Sequence, residues 1–106
     1  MKLYSIASGS SGNSIFVGSG STGRGILIDT GISKKRIEDG LAMEHMSFED
    51  VDGIFITHEH SDHISGLGPV LRKYRIPVYA TEPTIGYILE NGKCGKVENE
   101  LFQCVE

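Results

Sequence analysis

Six consecutive residues, His58-Glu59-His60-Ser61-Asp62-His63, set four side chains of metal-ligating type directly after the apolar run Gly53-Ile54-Phe55-Ile56-Thr57. That run is short, β-branched and aromatic, which predicts a buried strand. Beyond the polar hexad, Leu67, Val70, Leu71 and Tyr74 recur at helical spacing, with Pro69 in the tolerated first turn. The hexad must therefore occupy a strand-to-helix bend at a strand's carboxyl end, where open α/β sheets place their ligands. Along an extended stretch His58 and His60 point the same way, with Cα atoms roughly 6.6 Å apart. They can converge on one ion, imidazole nitrogens lying ~2.0–2.1 Å from zinc. Asp62 continues that phase, and His63 swings away as the helix begins. Asp62 and His63 can thus serve a second ion, since two-metal hydrolases hold their ions ~3.5–4 Å apart. Imidazole and carboxylate suit zinc, iron or manganese better than copper(I). A metal-free histidine turn is the plainer alternative, and the placement between buried strand and helix argues against it.

The rest of the chain supplies a scaffold for such a bend. Residues 2–7 alternate apolar and polar, residues 8–12 are a Ser/Gly turn, and residues 14–17 are extended. Residues 18–25 form a glycine- and serine-rich loop before the buried strand 26–28, which ends at Asp29. Ser33 caps a helix over residues 34–43, marked by Ile37 and Leu41. Residues 77–80 form a short strand with Pro77 at its start, and Thr81 or Thr84 starts a helix through Leu89. The tail, residues 95–106, is strand-like. Strands first and strand–helix alternation after predict a mixed α/β layer structure within one domain.

Composition excludes several functions. The chain has 106 residues, 39% hydrophobic and 23% charged, with a net charge of -4. No basic run exceeds Lys34-Lys35-Arg36, so a general nucleic-acid coat is excluded; these three residues read as a solvated helix face. The N-terminus is too short and too soon interrupted by Gly and Ser for a signal peptide, and no apolar run reaches the ~18 residues of a membrane span. A cytoplasmic protein without membrane contact is expected. Cys94 and Cys104, ten apart, match no zinc pattern and read as reduced thiols.

His58, His60, Asp62 and His63 resemble the HxHxDH motif of the metallo-β-lactamase superfamily, and Ile28-Asp29-Thr30-Gly31 resembles its first motif, a strand ending in Asp. The resemblance implies the N-terminal half of an αββα sandwich, with residues 1–106 a truncated portion of a single domain. It implies His58 and His60 on a first divalent ion and Asp62 and His63 on a second, with Asp62 also counted among the catalytic groups. Zinc is the expected metal, manganese or iron the alternatives. Such ions bring the pKa of water from ~15.7 to about 7, making hydroxide available at neutral pH. Asp29 would support the metal-binding loop; merely opening a turn before Gly31 is its alternative role. The family completes its site with a further His, a bridging Asp and a last His. After His63 this sequence has no histidine, and its carboxylates are Glu82, Glu90, Glu98, Glu100 and Glu106. A partial metal site without turnover by the chain alone is expected. Exposed sheet edges and core surface would favour self-association into a homo-oligomer.

Ser8-Gly9-Ser10-Ser11-Gly12-Asn13-Ser14 resembles the N-terminal turn of the YycJ-like (WalJ-like) branch, which is associated with DNA exonuclease activity. Ile64-Ser65-Gly66-Leu67 resembles nuclease and phosphodiesterase branches, where thioesterases and lactamases more often carry a Gly-Gly pair. The expected function is metal-dependent hydrolysis of phosphodiester bonds, with nucleic acid as substrate. The alternatives are a thioester, lactam or small cyclic phosphodiester on the same fold, or a non-enzymatic metal-binding or interaction module. Three further features carry less. Gly18-Ser19-Gly20-Ser21-Thr22-Gly23 spells a dinucleotide pattern, but a strand follows where that fingerprint needs a helix, so it reads as a hairpin loop. His45 stands alone beside Met43 and Met46 and reads as a surface or packing residue. Glu59 reads as a spacer between ligands.

Overall fold

The computed structural model describes residues 2–7, 12–18, 23–58, 61–90, 95 and 97–105, and of Lys2, Tyr4, Ser61 and Asp62 the backbone only. Within them the alternating segments pair into one six-stranded sheet in sequence order: β1 (Lys2–Ala7), β2 (Ser14–Gly18), β3 (Gly25–Ile28), β4 (Val51–Phe55), β5 (Val78–Ala80) and β6 (Phe102–Cys104). The first three strands meander antiparallel. From β3 onward neighbours are parallel, as helical crossovers require. The crossovers are α1 (Lys34–Met43), the single turn α2 (Ser61–Ile64) followed by α3 (Leu67–Tyr74), and α4 (Glu82–Glu90).

Register explains which face is covered. Phe16, Leu27, Ile54 and Val78 stand side by side across four strands and are all but fully buried. Ile37 and Leu41 of α1, Leu67, Val70 and Leu71 of α3, and Ile88 of α4 join them in one cluster. Each such side chain removed from water contributes on the order of 1.5–3 kcal/mol. The adjacent row, Ile15, Ile28, Phe55 and Tyr79, points to the opposite face because strand side chains alternate. It is only partly covered: Phe55 is 37% exposed and stacks on Tyr79 with ring centroids 5.0 Å apart.

Ser33 caps α1 as expected, accepting the Arg36 N–H. Lys34 and Lys35 pair along the exposed helix with Glu38 and Asp39, the solvated face the sequence predicted. Residues 18 and 25 close the antiparallel β2–β3 pair, so the glycine-rich stretch is a hairpin connection; residues 19–22 lie outside the described residues. His45 is exposed, in left-handed backbone just past α1. Cys104 is an exposed free thiol, and Cys94 lies outside the described residues.

The expected strand over 53–57 is displaced to Val51–Phe55. At its start, a short turn over Phe48–Asp50 is capped reciprocally by Ser47 and Asp50 and delivers the chain into the ladder at Val51. At its end, the Thr57 N–H leaves the ladder for the Asp29 carboxylate. The tail is a single helical turn, Asn99–Leu101, before the short edge strand β6.

Candidate metal centre

Because β3 and β4 are parallel and Ile28 lies opposite Phe55, the residues after each strand emerge at the same edge. Asp29 follows β3 with φ 67, left-handed backbone that Asp tolerates better than most side chains. Its own N–H donates to Phe55 O at 2.7 Å, and its side chain turns toward the segment after β4. There Oδ1 accepts the Thr57 N–H at 2.7 Å, and Oδ2 accepts the Thr57 hydroxyl at 2.6 Å. Asp29 is 4% exposed, so these donors replace water around a buried carboxylate.

His63, on α2, meets the same carboxylate: its Nδ1 lies 2.6 Å from Asp29 Oδ2. His58 follows Thr57, whose hydroxyl lies 3.0 Å from His58 Nδ1. The two imidazoles sit beside each other with ring centroids 4.7 Å apart. Two backbone bonds lock α2 to the β3 loop: Thr30 N–H donates to His63 O at 2.8 Å, and Gly66 N–H donates to Thr30 O at 2.7 Å. Gly66 is required by that approach, since a Cβ there would lie 2.0 Å from Ile32 O. Behind this loop Gly31 N–H donates to Asn13 O, tying in the turn before β2.

Of the predicted site residues, the structure brings together Asp29, His58 and His63. His60 and Glu59 lie outside the described residues, and so does the Asp62 side chain. The Asp62 backbone belongs to α2, so the helical turn begins before this residue and the extended phase expected to reach it does not. His63 has its ring beside that of His58, held there by Asp29. Among the described residues no three His, Cys, Asp or Glu side chains gather to hold a metal. Of the Ser8–Ser14 turn, residues 8–11 are outside the described residues.

Sequence reasoning missed Thr57, Thr30 and the clamping role of Gly66. Thr57 was read only as the last residue of a strand. Its position immediately before His58 was the available signal, but nothing local announces that Asp29, 28 residues earlier, lies across from it.

The family model of the metallo-beta-lactamase superfamily matches residues 7–101. The exodeoxyribonuclease YycJ of Bacillus anthracis is 48% identical over 79 residues, covering 74% of this chain and 29% of that protein. The exodeoxyribonuclease WalJ of Streptococcus pneumoniae serotype 2 (strain D39) is 48% identical over 98 residues, 91% of this chain and 35% of that protein. These are the branch that the sequence resembled. Among solved structures, a B3 metallo-beta-lactamase with an active-site glutamic acid superposes with a TM-score of 0.76 at 17% identity, over 98% of this chain and 42% of that one. The subclass B3 enzyme MEM-A1 from a soil metagenome library gives 0.74 at 24% identity, over 98% and 43%. The likeness to these two is one of fold, an α/β arrangement matching part of theirs. The chain spans about a third of the length of the curated relatives it matches. It belongs to the metallo-beta-lactamase superfamily.

Proposed function

We propose that this chain supplies the N-terminal part of a metal-dependent hydrolase domain that cleaves phosphodiester bonds in DNA, in the manner that the names of its YycJ and WalJ relatives describe. The observation that carries the reading is the pair of adjacent imidazoles at the carboxyl edge of parallel strands, one held through Nδ1 by a buried carboxylate. Metal-binding histidines commonly give their second nitrogen to a carboxylate, which fixes the ring and raises its basicity. The superfamily implies divalent metal ions, and this donor set fits them. His58 and His60 would hold one ion, and Asp62 and His63 a second, with Asp62 also acting in catalysis; zinc is the metal proposed, manganese or iron its rivals. Bound ions would supply Lewis acidity toward a non-bridging phosphate oxygen and hydroxide at neutral pH. The chain's own part is to keep the ligands rigid. Asp29 orients His63, and the Thr30 clamp fixes α2 against β3.

The half-covered row of Ile15, Ile28, Phe55 and Tyr79 supports residues 1–106 being the N-terminal half of a larger αββα sandwich. Such a row also favours self-association when uncovered. No helix among the described residues is long and apolar enough to cross a membrane, and a cytoplasmic location is part of the reading.

The test is an assay of the full-length protein with zinc or manganese on single- and double-stranded DNA, beside a thioester and a β-lactam. Metal-dependent release of nucleotides, lost on His58→Ala, is expected. Cleavage of only the thioester or lactam would replace the nuclease reading, and metal uptake without any cleavage would leave a binding module.

A further inference from the structure

Three successive amides of the loop after β3 bond to three different segments. Asp29 N–H donates to Phe55 O at the end of β4, Thr30 N–H to His63 O in α2, and Gly31 N–H to Asn13 O before β2. Glycines close in on this loop from two sides. From one side Gly66 approaches so closely that a Cβ would lie 2.0 Å from Ile32 O. From the other comes Gly12, buried and with φ 144, a backbone conformation that side chains rarely adopt. A Cβ on Gly12 would lie 2.4 Å from Gly31 O and 2.6 Å from Ile32 Cγ2. The first of these neighbours is backbone, and the second belongs to a buried side chain.

We infer that Gly12 is a positioning residue: its bare backbone lets the turn before β2 close on Gly31 and Ile32, and this sets where the β3 loop holds His63. The inference rests on His63 being a metal ligand, and it adds a support from the far side of the loop. Its ground is packing. Real Cβ atoms stay at least 3.0 Å from such neighbours, so one added methyl must drive turn and loop apart. The turn has little room to retreat, because β2 is paired on both edges, with β1 and with β3. The loop has no slack behind it either, since Gly66 already touches it there. A close-packed interior passes such a push on. Here it arrives at Thr30, whose N–H holds His63 O and whose own O holds the Gly66 N–H.

The experiment compares the full-length protein with Gly12→Ala and with Gly40→Ala, whose Cβ would instead crowd Ile6 at 2.5 Å between α1 and β1. Amide hydrogen exchange of the metal-free proteins reports the loop, and cobalt(II) titration followed by visible absorption reports ligation. In Gly12→Ala the Thr30 and Gly66 amides should lose protection, and cobalt affinity should fall by about 10- to 100-fold, the usual effect of losing an outer support. Gly40→Ala should keep both while losing overall stability. Parental protection of Thr30 and Gly66 in Gly12→Ala would show that the turn gives way instead, and overturns the inference. So does loosened protection with parental cobalt affinity, or an equal effect of Gly40→Ala on both signals. Should Gly12→Ala not fold, the parent decides: the Gly31, Thr30 and Gly66 amides must open together, and Gly31 opening on its own refutes the link. A parent that takes up no cobalt sinks the metal reading, and the exchange data then decide the packing link by themselves.

Discussion

Strands β3 and β4 are joined at both ends by a carboxylate, across the same 28-residue separation, and the two joints differ in kind. At the strand starts Arg24 pairs with Asp52 at 2.5 Å, both side chains about half exposed. At the strand ends Asp29 is buried and receives three donors, from Thr57 and His63. Water reaches both partners of the first joint, whereas at the second the carboxylate itself is buried. An exposed pair gains little because solvent screens it, whereas a buried carboxylate stripped of its partners leaves several groups unsatisfied. The buried joint is the one beside the candidate ligands, and it includes a left-handed residue at the strand end.

The comparison breaks most visibly at Asp29. Asp29→Ala removes the acceptor from three donors at once and puts Ala in left-handed backbone, so a loss of about 3 kcal/mol or more is expected. Asp29→Asn keeps an acceptor and tolerates that backbone, and should lose less. Urea unfolding of both variants measures this. An Ala variant as stable as Arg24→Ala would make the two joints equivalent and refute the argument.

Next comes Gly66→Ala. The new Cβ meets a backbone oxygen rather than a yielding side chain, so α2 must draw back from the β3 loop. A cost of roughly 1–3 kcal/mol follows, as for overpacking. Weaker zinc binding in calorimetry should accompany it, because Thr30 then releases the turn that holds His63. Unchanged stability and zinc affinity would show that the clamp is dispensable.

How much of this was readable in the sequence depends on what fixes each feature. Helix α1 was fully legible, since its cap Ser33 and its core positions Ile37 and Leu41 are set by local chemistry. The α/β order and the two family motifs were legible for the same reason. The bounds of β4 were not. Its first residues are held by β3, and its end is set by Asp29, all contacts distant in sequence. The backbone at Asp62 was expected to be extended and lies instead in a helical turn that begins at Ser61. Thr57 illustrates the general limit. Its residue type was in plain view, but its role depends on the parallel register of two strands.

A third joint, between α1 and α3, is intermediate and sharpens the comparison through pH. The Tyr74 hydroxyl donates to Glu38 and, with Lys73 and Lys34 adding to it and burial opposing, holds that carboxyl below its ordinary pKa. A carboxyl lowered on folding stabilises above its unfolded pKa, ~4.3, and loses that contribution as pH falls through the folded value. Tyr74→Phe should therefore cost roughly 1 kcal/mol at neutral pH. The gap from the parent should close in acid. The stack on Phe48, 4.3 Å away, is kept in the variant, so a gap that persists below that range would mean that the Glu38 charge does not carry the loss.

The smallest effect is expected at Arg24. Arg24→Ala and Asp52→Ala should shift the unfolding midpoint by no more than the scatter between repeats at moderate salt, because both partners stay hydrated when separated. A double-mutant cycle then compares the joints directly. Coupling between Arg24 and Asp52 should vanish as salt rises past the point where the screening length is ~10 Å, near 0.1 M. Coupling between Asp29 and Thr57, measured with Thr57→Val, should survive the same salt because the carboxylate is buried and its partner is neutral. Equal salt sensitivity at the two ends would mean that Asp29 is solvated in solution, and the rigid support argued for His58 and His63 would go with it.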